Sequence, residues 1–116
     1  MPSLRRILVS LAALAAAPAL AADAIKIGAP QPMTGPDAPF GDKFKKAYPL
    51  AVEEINAAGG IGGRKIEVVI DDHQAKNALA ATVAEKLIAQ DKVLVMTGGR
   101  ASGQAVETAP AAQRHN

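Results

Sequence analysis

Residues 65–96 read KIEVVIDDHQAKNALAATVAEKLIAQDKVLVM. The segment opens on a strand, Lys65 to Ile70, whose Ile66, Val68, Val69 and Ile70 are apolar enough for a sheet covered on both faces. From Ala75 to Gln90 the apolar residues change period: Leu79, Val83 and Leu87 recur every fourth position with alanines beside them, the stripe of an amphipathic helix. Val93 to Met96 is apolar again and too short for a helix, so it reads as a further strand. A strand, a helix and a strand in this order predict two parallel strands joined by a right-handed crossover.

The same alternation extends in both directions. Upstream, Ile25-Lys26-Ile27-Gly28-Ala29 alternates apolar with polar or small residues and predicts a strand. Pro30, Pro32, Gly35, Pro36, Pro39 and Gly41 then break regular structure, and predict a stiff loop from Pro30 to Asp42. A helix carrying Tyr48, Val52 and Ile55 follows, with Ala57-Ala58-Gly59-Gly60 as its stop. Asp42 is a plausible cap, but Pro49 would then lie inside the helix. The expectation is either a kink there or a regular start near Pro49. Downstream, Thr97 to Gly103 is a loop, and Gln104 to Gln113 a third helix interrupted by Pro110. The predicted class is α/β, a partial parallel sheet with flanking helices on both faces.

Ligands of such sheets gather at the carboxyl ends of the strands. The loops Pro30 to Asp42 and Thr97 to Gly103 both leave strand ends, so they should share one edge. In the second loop, glycines admit close backbone approach, Ser102 offers a hydroxyl, and the free N–H groups opening the next helix favour an anion. Arg100 either pairs with that anion or extends into solvent, and Ser102 can equally serve as a helix cap.

Other motifs carry less. Gly59 to Lys65 resembles a phosphate loop in composition only: it lies between a helix and a strand, the reverse of the order such loops need, and reads as a turn. Asp71, Asp72 and His73 are adjacent on extended chain, where neighbouring side chains point apart, so they read as a polar strand end and not as a metal site. Neither they nor Ser102 with His73 or His115 match a catalytic motif, so no enzyme, cofactor or metal is expected.

At the amino terminus, Arg5 and Arg6 precede an apolar run to Ala17, and Ala19-Leu20-Ala21 supplies a cleavage site, so residues 1–21 read as a secretory signal peptide. That run, broken by Pro18, falls short of the roughly 20 residues that span a bilayer. These residues hold two of the 13 basic residues and none of the 11 acidic ones. The remainder, 22–116, is formally neutral and has two Phe, one Tyr and no Trp, which argues against nucleic acid as a partner. There is no Cys, hence no disulfide and no thiolate metal site.

The strand Ile25-Lys26-Ile27-Gly28, the loop Pro32-Met33-Thr34-Gly35-Pro36, Phe40-Gly41-Asp42, the run from Leu50 to Ile66, Asp71-Asp72 and Ala101-Ser102-Gly103 together resemble the periplasmic binding proteins of branched-chain amino-acid ABC transporters. The resemblance implies the type I periplasmic-binding fold, with two lobes that close on a ligand by hinge motion and pass it to ABC permease membrane subunits. Residues 22–116 would be an incomplete first lobe, exported to the periplasm, with an amino acid or organic acid as its small-molecule ligand. A ligand-sensing lobe of a receptor would share the architecture. By this resemblance Phe40 matches an aromatic position that packs on the ligand, and Ser102 a hydroxyl that binds its carboxylate. Arg100 and Gly103 lie in the same ligand loop. Thr97 to Arg100 departs from the forms usual in amino-acid binders, and Arg100 would suit an organic acid better than a zwitterion.

Overall fold

The computed structural model describes residues 22–115, so the segment read as a signal peptide lies outside the described residues. Three strands and three helices alternate along the chain: β1 (Ile25–Gln31), α1 (Ala38–Ala57), β2 (Ile66–Asp72), α2 (Asn77–Ala89), β3 (Val95–Met96) and α3 (Ser102–Arg114). The strands form one parallel sheet in the order β2-β1-β3. Ile25 lies opposite Ile66 and Gln31 opposite Asp72, so the paired edge is in register along its length.

The two faces can be followed through side chains. On one, α1 lies beside Ile66, Val68 and Ile70, and Asn56 clamps the start of β2. Its Oδ1 accepts from the Ile66 N–H at 2.8 Å, and its Nδ2 donates to the Ile66 carbonyl at 3.0 Å. On the other, Lys86 of α2 reaches Asp71 at 2.5 Å, and Leu87 packs over Gly28. A Cβ at Gly28 would stand 3.0–3.3 Å from Val93 and Leu87, which is why a glycine occupies the middle of the central strand. The core on this side is Ala80, Val83, Ala84 and Leu87, one stripe of α2, with Ala111 of α3 buried beside them. Leu79, expected on that stripe, is only half-buried and flanks it.

Several boundaries differ from expectation, each for a local reason. β1 runs on through Pro30 to Gln31. The carbonyls of Lys26 and Gly28 accept from Leu94 and Thr97, so the alternate position, Pro30, faces the side where β3 has already departed and its missing N–H costs no bond. α1 begins at Ala38, not at Asp42 or Pro49, because Pro39 falls in the first turn, where a helix has no use for the N–H. Pro49 and Pro110 both sit inside continuous helices. Around Pro49 the helix is held by an i, i+4 pair within it, Phe44 stacked on Tyr48 with ring centroids 5.7 Å apart, and by a tertiary bond in which the Tyr48 hydroxyl accepts from Gln31 Nε2 at 2.9 Å. β2 extends two residues past Ile70, and β3 shortens to two residues. Gln74 and Ala75, with φ of 54° and 58°, belong to the turn before α2 and not to the helix.

Candidate functional site

The carboxyl edge of the sheet carries two loops, Pro32 to Asp37 after β1 and Thr97 to Ala101 after β3, and the structure sets them against each other as expected. The first loop is shaped by Asp72. Its Oδ1 accepts from the N–H groups of Met33 (2.9 Å), Thr34 (3.2 Å) and Gln74 (2.8 Å), and its Oδ2 from the Thr34 hydroxyl (2.5 Å). Burial pushes the Asp72 carboxyl up, but these four donors outweigh it and hold the group below the usual carboxylate range. Asp71, one residue earlier, points to Lys86 on the opposite face, so the adjacent acids share no site. Among the described residues no group of three or more His, Asp or Glu could hold a metal ion.

Gly41, in the first turns of α1, sits directly on the loop: a Cβ there would lie 2.2 Å from the Pro32 carbonyl oxygen. Only glycine lets the helix come this close, and that approach places Phe40 at the loop's rim, 37% exposed. Arg100 crosses from the second loop to meet it. Its guanidinium carbon stands 3.7 Å from the Phe40 ring centroid, and its Nη1 donates to Asp37 Oδ2 at 2.9 Å. Lys43 Nζ lies 5.5 Å from the same ring. Arg100 therefore does not extend freely into solvent; it ties the two loops together.

Ser102 is exposed and opens α3, but it does not cap it. Ala101 holds the cap position, and among the described residues no side chain satisfies the first N–H groups of the helix. The hydroxyl and those N–H groups thus share one end of α3. Gly103 is half-buried against α2, where an added Cβ would lie 2.8 Å from Asn77 Nδ2; its lack of a side chain serves the packing of α3 on α2. Gln104 completes that contact, donating from Nε2 to Asn77 Oδ1 at 2.9 Å and the Ala75 carbonyl at 3.3 Å.

Sequence reasoning missed Asp37, Gln31 and Gln104 as parts of this edge, and read His73 only as part of a polar strand end. Gln31 and His73 are buried, and Gln31 Oε1 and His73 Nε2 have no hydrogen-bond partner among the described residues. His73 Nδ1 accepts from the Ala75 N–H at 3.1 Å, so the neutral ring carries its proton on Nε2. Burial pushes the His73 imidazolium down in pKa, against the pull of its own backbone and of Asp72 and Asp37. Only a polar residue ending an apolar strand, as Gln31 does, could have pointed to these roles in advance.

Residues 24–116 match the family described as periplasmic binding protein. A Leu/Ile/Val-binding protein homolog 7 from Brucella abortus is 42% identical over 100 residues, 86% of this chain and 25% of that protein. The branched-chain amino acid transporter substrate binding protein LivJ from Streptococcus pneumoniae, solved in complex with isoleucine, superposes with a TM-score of 0.74 at 40% identity, over 79% of this chain and 26% of that one. A solute binding protein of an ABC transporter from Rhodopseudomonas palustris, solved in complex with 3,4-dihydroxy benzoic acid, gives a TM-score of 0.70 at 32% identity, over 78% of this chain and 24% of that one. The chain spans about a quarter of the length of the relatives it matches.

Proposed function

The chain belongs to the periplasmic binding protein family, and from that premise we propose that it forms the first part of one lobe of a solute-binding protein that delivers a small organic acid or amino acid to an ABC permease. Residues 1–21 direct export to the periplasm and are cleaved, leaving 22–116 as the beginning of that lobe. The observation that carries this reading is the convergence of Phe40, Arg100 and Ser102 on one sheet edge, where an aromatic surface, a cation and an uncapped helix start stand together. The uncapped start of α3 and the Ser102 hydroxyl take the ligand's carboxylate, since N–H groups aligned with a helix axis favour an anion without needing a counter-ion. Phe40 supplies an aromatic surface at the rim, beside the Arg100 guanidinium. No residue here is assigned a catalytic role.

The test is calorimetric titration of the two-lobed protein carrying this chain with a panel of amino acids and organic acids. A bound ligand whose affinity drops roughly tenfold or more in Ser102→Ala supports the assignment, a loss in keeping with removing a hydrogen bond to a charged group. Unchanged affinity in both Ser102→Ala and Phe40→Ala removes this edge from the binding site.

A further inference from the structure

We infer that Arg100 makes this site selective for a ligand bearing a second acidic group, a dicarboxylic acid or an acidic amino acid, at the end that lies over Phe40. The inference rests on the proposal that the two loops bind ligand, and it narrows the ligand class.

The geometry leaves little of Phe40 to serve as a plain apolar wall. Arg100 stands over the ring at 3.7 Å, with Lys43 at 5.5 Å, so an incoming group meets a guanidinium together with the aromatic surface. The contact with the ring and the Asp37 bond hold the Arg100 guanidinium in place before any ligand arrives. Only Nη1 is engaged, leaving Nε and Nη2 without a hydrogen-bond partner among the described residues, on a side chain 38% exposed. A fork held on one side and open on the other suits a carboxylate, which accepts from parallel donors. The alternative is an aliphatic side chain, as in leucine. It would strip water from the guanidinium and return no acceptor, an unfavourable exchange for a charged group. Two cations, Arg100 and Lys43, lie over the ring and Asp37 pairs with the first of them, so a ligand anion at the ring faces cationic side chains even with the Arg100–Asp37 pair intact.

Asp37 follows as the brake on this selectivity. It shares the Arg100 charge, and removing its own charge should strengthen the pull on a ligand anion. That opposite response separates a ligand-directed arginine from one that merely joins two loops, for which both substitutions would weaken binding alike.

Calorimetric titration of the two-lobed protein with glutarate, glutamate and leucine tests the inference. The expected result is that an acidic ligand binds more tightly than leucine, weakens roughly tenfold to a hundredfold in Arg100→Gln, and tightens in Asp37→Asn. Arg100→Lys keeps the charge without the fork and should lose part of the affinity, and it serves in place of Arg100→Gln if that variant does not fold by circular dichroism. Leucine binding more tightly than both acids, no binding of either acid, or acids bound equally well by the wild type and both Arg100 variants would each overturn the inference. Phe40→Ala then tells which premise failed. If it weakens the ligand that does bind, the site stands and only the role of Arg100 falls; if it changes nothing, the site itself is misplaced.

Discussion

Asp72, the last residue of β2, accepts a hydrogen bond at 2.9 Å from the backbone N–H of Met33, the second residue of the loop that leaves the neighbouring strand. Because Gln31 and Asp72 end their strands in register, the carboxylate arrives where the other chain turns away from the sheet and exposes its N–H groups. One side chain thereby gives the Pro32 to Asp37 loop its shape.

Replacing Asp72 by Ala should therefore loosen that loop. Three N–H groups and a hydroxyl lose their acceptor, and the expected loss of stability is about 1–3 kcal/mol. Chemical denaturation gives the magnitude. Hydrogen exchange at Met33 and Thr34 should accelerate well before global unfolding; unchanged protection there would mean that prolines alone hold the loop.

Stability should also fall with acidification in two stages. His73 is held below its ordinary value, so the unfolded chain takes up a proton first, and stability declines as pH drops below about 6.5 toward the lower folded value. Asp72 is likewise depressed, so its contribution is present above about 3.9 and is lost as pH falls through its folded value. Thermal melts between pH 8 and pH 3 check this, and the first stage should flatten in His73→Gln.

Gly41→Ala is expected to cost about 1–3 kcal/mol, although alanine is the better helix former. The added Cβ would fall 2.2 Å from the Pro32 carbonyl, so α1 must shift away from the loop and carry Phe40 with it. A neutral or stabilising result would show that this approach is not needed.

Leu87 is fully buried between α2 and the sheet, packed on Gly28, and Leu87→Ala should destabilise by about 2–5 kcal/mol. Val106, exposed on α3, is the control: Val106→Ala should change stability by less than about 0.5 kcal/mol. Equal effects at the two positions would contradict the assignment of the core to this face.

Residues 22–116 produced alone should self-associate. Leu94 and Val95 are 72% and 52% exposed, and β3 has an unpaired edge among the described residues. Sedimentation should show association that Val95→Lys reduces; a monodisperse monomer without the substitution would exclude this edge as the sticky surface.

Periodicity was enough for the α/β alternation, and with the crossover rule for the parallel pairing, because the contrast between a two-residue and a nearly four-residue repeat is a local property of the chain; the two loops at the carboxyl edge were marked by their prolines and glycines. The resemblance carried by Phe40, the run from Leu50 to Ile66 and Ser102 rests on the identity and order of residues along the chain, which need no tertiary contact to be read. Helix starts were less legible. Pro39 and Pro49 look equally like breakers until Gly41 is seen on the Pro32 carbonyl and Tyr48 is seen holding Gln31. The site's electrostatics were legible only in part: the helix start and Arg100 pointed to an anion, but the partners of Arg100 within the protein did not show. In sequence Arg100 reads either as a partner for a ligand anion or as a solvated arginine, and its place over Phe40 and beside Asp37 exists only once β1 and β3 lie side by side and bring the loops within reach. Contacts between residues distant in sequence depend on which strands pair, and pairing is set by burial of the whole sheet, to which each segment contributes only its own face.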